Sequence, residues 1–180
     1  MVAGIYSLSA QLENRFSIGP RVGVNFTNHT GNANSSVQKI VAGITSTYSI
    51  NENSGVTVDA LYSSRGYAIS NITSTVNYLE IPIAYNTFFG SLGERFRPKI
   101  YAGIAPSILL NAERGNSEIT SQFNSTTLSI LGGLGFNYRL ANRVWLNTDL
   151  RALLGVSDVE KNRDYQDRTI QLSVGIAYGI

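Results

Sequence analysis

The sequence predicts an all-β chain, an eight-stranded antiparallel up-and-down transmembrane β-barrel, and three observations carry that reading. The first is the last strand. From Ile170 to Ile180 the even positions Ile170, Leu172, Val174, Ile176, Tyr178 and Ile180 are large and apolar. Thr169, Gln171, Ser173, Gly175, Ala177 and Gly179 between them are small or polar. A period of two marks a strand, because successive side chains point to opposite faces. A soluble strand would carry Lys, Glu or Thr on its wet face; Gly, Ala and Ser suit a confined barrel interior, with the apolar face toward lipid. The second is composition. Charged residues are 14% of the chain, against about 25% in ordinary soluble domains. No run approaches the ~18 apolar residues of a spanning helix. The third is the spacing of connections, which alternate short and long.

In order, the first strand takes Phe16, Ile18, Pro20, Val22, Val24 and Phe26 on one parity, with Thr27 to Ser36 read as a polar loop. The second runs from Val37 to Ile50, with Ile40, Ile44 and Tyr48 outward and Gly43, Thr45 and Thr47 inward. Asn51 to Gly55 is a compact turn. The third strand, Val56 to Tyr67, places Asp59, Leu61 and Arg65 on one parity, and Ser70 to Thr75 is the next loop. The fourth, Val76 to Phe89, sets Leu79, Ile81, Ile83 and Tyr85 against Tyr78, Glu80, Pro82 and Asn86.

The fifth strand, Lys99 to Asn111, follows turn residues Gly90 to Pro98 and precedes the longest loop, Ala112 to Ser125. The sixth, Thr126 to Leu140, reaches the seventh, Val144 to Val156, through a tight turn at Ala141 to Arg143. Trp145, Asn147, Asp149 and Arg151 face inward on the seventh, and a charged loop, Ser157 to Gln166, leads to the last strand. Pro20, Pro82 and Pro106 lie within strands, and each is expected to mark a bulge or irregularity, since proline cannot donate to the ladder.

With both termini on the short-turn, periplasmic side, seven outward aromatics gather at that end: Phe16, Tyr48, Tyr85, Phe89, Phe136, Tyr138 and Tyr178. Amphipathic rings suit the headgroup level, so these are read as a membrane girdle. The barrel domain is read as residues 10–180. Residues 1–9 read either as the end of a signal peptide, with Ser7-Leu8-Ser9 as a small-x-small cleavage site, or as an N-terminal extension.

On these residues the chain resembles the small eight-stranded outer-membrane barrel proteins of Gram-negative bacteria, the porin-like "outer membrane protein beta-barrel" domain family. The resemblance covers about Phe16 to Ile180. It rests on Gly19-Pro-Arg-Val-Gly23, Asn77-Tyr-Leu-Glu-Ile-Pro82, Tyr101-Ala-Gly103, Gly132-Gly-Leu-Gly135, Asp149-Leu-Arg151 and Leu154-Gly155. It implies residence in the outer membrane and no defined enzymatic role. Such barrels usually end in Phe; this chain departs from that with Tyr178-Gly-Ile180.

An eight-stranded barrel is just wide enough for side chains to fill it. The inward charges Arg21, Arg65, Arg139 and Arg151 therefore have to pair with Asp59, Glu80 and Asp149, because an isolated buried charge is costly. Heights along the strands predict that Arg65 meets Glu80 on the adjacent strand and that Arg21 meets Asp149 across the last strand. The network is read as a salt-bridged plug, with a narrow gated pore for ions or small solutes as the alternative.

His29, the single histidine, is placed in the first polar loop, where a solvated side chain outweighs a triad member. In the charged loop, Lys161, Arg163 and Arg168 interleave with Asp158, Glu160, Asp164 and Asp167, which favours solvation over cation binding. The net charge of +2 is scattered, so nucleic acid is not an expected partner. No cysteine is present, and no metal or cofactor is expected. The expected partners are outer-membrane lipid and a surface ligand or protein met by the long loops, with the barrel a monomer. A soluble lipocalin-like barrel is the rival fold. It would line its wet exterior with Gly and Ala where Lys and Glu belong.

Overall fold

The computed structural model describes residues 15–29, 37–69, 72–91, 93–115, 117–122, 124–156 and 167–180. Its strands are β1 (Phe16–His29), β2 (Val37–Ser49), β3 (Ser54–Ile69), β4 (Ile72–Glu80), β5 (Ile83–Phe88), β6 (Phe96–Arg114), β7 (Ser117–Glu118), β8 (Thr126–Ala141), β9 (Val144–Gly155) and β10 (Asp167–Gly179). β4 and β5 are two halves of one wall, both lying between β3 and β6. The two-residue β7 pairs with the tip of β6. Eight walls result, each antiparallel to the next, and β10 closes on β1. At the foot of the seam the Ile180 amide donates to the Phe16 carbonyl at 2.8 Å.

Alternation sets the inside and the outside. In β10 the odd residues from Thr169 to Gly179 are buried and the even ones from Ile170 to Ile180 are exposed. The same split runs around the ring, with Ile40, Ile44, Ile100, Ile104, Ile130, Leu134 and Leu150 all on the outer surface. Such a band is stable only against hydrocarbon, where burying each Ile or Leu contributes about 1.5–3 kcal/mol.

The strands overrun their expected ends on the long-loop side. β1 continues to His29, whose backbone pairs with Asp167, so His29 ends a strand instead of sitting in a loop. Ile72 to Thr75 belong to β4, and β6 extends to Arg114. Pairing, not apolarity, decides these ends: above the membrane a ladder can carry polar residues on both faces. The segment expected as the longest loop holds β7 and a 3-10 turn, Thr120–Gln122. Residues 1–9 and the whole charged loop from Ser157 to Gln166, with Asp158, Glu160, Lys161, Arg163 and Asp164, lie outside the described residues. Asp167 and Arg168 belong to β10.

Of the three prolines, only Pro82 interrupts a strand. Its wall keeps its register across the break, with Glu80 opposite Ser107 and Ile83 opposite Ile104. The Ile81 amide donates to the Pro106 carbonyl at 2.9 Å, and the Asp59 amide to the Pro82 carbonyl at 3.0 Å. Pro20 and Pro106 sit in register with Ile44 and Leu128 without a bulge, but the β1–β10 ladder skips Gly19 and Pro20, the irregularity expected there. The register shifts lie elsewhere, at Asn77/Tyr78 and at Arg139/Ala141 beside the β8–β9 turn.

Candidate functional site: the charged lumen

The inward face of the walls builds the lumen in layers. The middle layer is ionic. Arg21 on β1 bonds Asp149 on β9 at 3.0 Å, and Lys99 on β6 bonds the other oxygen of Asp149 at 2.8 Å. Arg151 on β9 reaches Asp59 on β3 at 3.0 Å, and β3 and β9 are opposite walls of the ring. Arg21 also donates to the Thr45 hydroxyl at 3.2 Å, and Thr45 donates to Asp59 at 2.6 Å. Five charged side chains, none more than 5% exposed, thus fill the cross-section with three cations and two carboxylates.

These long side chains fit because glycine stands beside them on the adjoining walls. Arg21 is flanked by Gly43 and Gly175. Gly135 lies opposite both Lys99 and Asp149, and Gly133 opposite both Tyr101 and Arg151. Tyr101 completes the layer, its ring 5.6 Å from the Arg151 guanidinium and 5.5 Å from the Lys99 ammonium, both within cation–π range.

Toward the long loops a second layer is mostly neutral. Gln171 donates to Asn25 at 2.9 Å, and Asn25 donates to Ser63 at 2.9 Å. Beside them Arg65 hydrogen-bonds Glu80 across the β3–β4 ladder and rests on the Tyr78 ring, 5.2 Å from its centroid. On the β4–β6 side of this level, Val76, Tyr78, Ala112 and Ile119 form one buried apolar cluster, with Val76 opposite both Arg65 and Ala112. Ile119 is brought there by the segment after β6, its amide donating to the Ala112 carbonyl at 2.9 Å.

Arg21, Asp59, Arg65, Glu80, Asp149 and Arg151 all lie in this network. Arg139 does not. Its parity is inward, opposite Trp145, but it falls at the short-turn rim and is exposed there, with no carboxylate within ion-pair reach among the described residues. Its strand position is too close to the turn for burial. Lys99, Tyr101 and the buried Arg97 belong to the lumen without having been expected there. The parity that puts Ile100 outward assigns all three inward. Lys99 opens the expected strand and Arg97 lies in the expected turn, so neither has a place in the expected lumen.

The seven expected girdle aromatics lie at the short-turn end, with Phe16, Tyr48, Tyr85, Phe89 and Tyr178 exposed and Phe136 and Tyr138 partly so. Phe96 joins them, its ring 5.3 Å from that of Phe136. Arg95 lies 5.3 Å over the Tyr138 ring, an arrangement that sets a cation at headgroup level.

Known structures share this architecture. The chain is similar to Neisserial surface protein A (NspA) at 17% identity, covering 92% of this chain and 97% of that one with a TM-score of 0.66. OprG from Pseudomonas aeruginosa matches at 14% identity, 94% and 98% coverage and a TM-score of 0.62. Ail, the attachment invasion locus protein of Yersinia pestis, matches at 14%, 93% and 100%, with a TM-score of 0.57. A comparison with curated proteins returns no significant match. The sequence profile described as "Outer membrane protein beta-barrel domain" matches residues 9–161, and β10 beyond it supplies the closing wall. With its lipid-facing band and its eight closed walls, the chain belongs to the outer membrane protein beta-barrel domain family and resides in the outer membrane of a Gram-negative bacterium.

Proposed function

We propose that this protein is a closed barrel with a structural or surface-binding role exercised through its long-loop end, acting as a monomer in outer-membrane lipid. One observation carries the reading: the ionic layer that joins opposite walls through Arg151 and Asp59. A permeating ion would have to break charge-assisted bonds inside a lumen only wide enough for side chains, and such bonds are the strong ones. Two barrels of the same fold, NspA and Ail, have names that describe a surface protein and an attachment locus. The reading assigns the chain no reaction.

A narrow gated pore is the second reading. It is favoured by the excess of lumen cations over carboxylates, which would select anions if the layer parted. Planar-bilayer recording of the purified, refolded protein separates the two. A silent bilayer is expected, and steady, voltage-stable conductance would overturn the closed reading. Deleting each long loop in turn, with a binding screen on whole cells, then locates the surface that meets a ligand.

A further inference from the structure

The barrel opens at its short-turn end into a cavity of about 420 Å³, within the size range of small-molecule sites. We propose that this vestibule binds a small oxyanion, a phosphate- or carboxylate-bearing solute with hydroxyl groups, from the periplasmic side. The proposal is independent of what the outer loops bind.

Charge is the first argument. Arg97, Arg139 and Arg143 line the cavity, and Glu94 is the single carboxylate among its lining residues, which leaves a surplus of two positive charges. The Glu94 carboxylate packs on Gly90 of its own turn, so close that a Cβ there would lie 2.5 Å from Oε2.

Arg97 is the second argument. The other buried cations of the lumen, Arg21, Arg65, Lys99 and Arg151, each bond a carboxylate. Arg97 is only 3% exposed, yet among the described residues no carboxylate lies within ion-pair distance of it. Its guanidinium stacks on Phe88 at 4.4 Å and donates to the Glu52 carbonyl. Glu94 and Glu52 attract it only from beyond ion-pair distance; a buried guanidinium without a direct ion pair is costly to maintain, and a bound oxyanion supplies both the contact charge and the acceptor. Nearby, the buried Asn137 Oδ1 has no partner. With Asn147 it offers amide groups to ligand hydroxyls, and Trp145 supplies an aromatic wall.

Trp145 is also the only tryptophan, so its fluorescence reports on the cavity. The test titrates the full chain in phosphatidylcholine nanodiscs with glucose 6-phosphate, inorganic phosphate and glucose. A saturable change is expected with glucose 6-phosphate, a weaker one with phosphate, and none with glucose. Arg97→Gln should weaken binding about tenfold or more, the loss of a charged hydrogen bond. Arg139→Gln, at an exposed position that does not threaten folding, should weaken it by roughly threefold. A second series in nanodiscs containing phosphatidylglycerol separates the two sources of the oxyanion. Loss of the glucose 6-phosphate response there supports the site and makes a lipid headgroup its occupant; an unchanged response supports a free solute. The proposal is overturned if no anion gives a saturable change in either lipid, if glucose matches glucose 6-phosphate, or if both variants bind as the wild type does.

Discussion

The ring of Tyr101 lies over Gly133 on the adjoining wall, and a Cβ on Gly133 would stand 2.5 Å from both the Tyr101 Cζ and its hydroxyl oxygen. The same Cβ would meet the Leu150 carbonyl oxygen at 2.6 Å. Neither neighbour can retreat easily, because Leu150 is backbone and the ring is walled in by Lys99 and Arg151. Gly133→Ala should therefore destabilise the barrel by about 1–3 kcal/mol, the usual cost of overpacking. Urea unfolding of the lipid-refolded protein measures it. Gly132→Ala is the control, since a Cβ there meets only one atom, at 3.9 Å. Equal stability of the two variants would remove Gly133 from the packing account.

Glu80→Gln tests the ion pair of the upper lumen. The change keeps the shape and takes away the carboxylate to which the Arg65 guanidinium is bonded. Breaking a buried pair from one side costs about 3–5 kcal/mol, and the lower end is expected because Arg65 also rests on Tyr78. The same urea titration reads the loss. A variant as stable as wild type would show that the pair contributes nothing to closing the barrel.

Asp149 is the hub of the middle layer, shared by Arg21 and Lys99. Asp149→Asn should cost about 3 kcal/mol or more, since two cations lose their carboxylate at once. Adding Lys99→Met to that variant removes one of the stranded charges and should restore part of the loss. A coupling energy of roughly 0.5–3 kcal/mol is expected from the double-mutant cycle. Strict additivity would mean that Lys99 and Asp149 do not act together.

The walls and most of the inward charges were legible because both follow from parity. Once Ile170 or Ile100 is known to face lipid, its neighbours must face the lumen, and Arg21 meeting Asp149 across β10 follows from strand heights. Ladder length was not legible in the same way. Polar residues such as Thr27 to His29 and Thr73 to Thr75 look like loop, yet they pair because their partners on adjoining strands continue. Arg97, Lys99 and Arg139 show the other limit. All three have inward parity near a turn, and only the real strand ends decide which are buried. β6 begins at Phe96, so Arg97 and Lys99 fall inside the wall, whereas Arg139 lies next to the turn and stays at the rim. The unexpected burial of Ile119 came from packing onto Val76, Tyr78 and Ala112, which no local pattern encodes.

The ionic layer makes a prediction about permeation that stability alone does not. Arg151 and Asp59 meet from opposite walls, so their pair spans the middle of the lumen. Removing both, as Asp59→Ala with Arg151→Ala, deletes one cation and one carboxylate and leaves the net charge of the layer unchanged. No unpaired partner of that bond remains, so the double variant should lose less stability than either single one. What it loses is the bridge itself. The freed space is bounded by Thr45, Arg21 and Gln171, polar groups that can hold water where an apolar void would stay dry. A continuous water path past the layer should then let small ions cross the level that the bridge had barred. The double variant is therefore expected to show brief conductance steps in planar bilayers where the wild type is silent, favouring anions because Arg21, Lys99 and Arg97 remain. Silence from a properly folded double variant would show that the Arg151–Asp59 bridge is not what bars the lumen. Wild-type conductance equal to that of the variant would show that the Arg151–Asp59 bridge bars nothing.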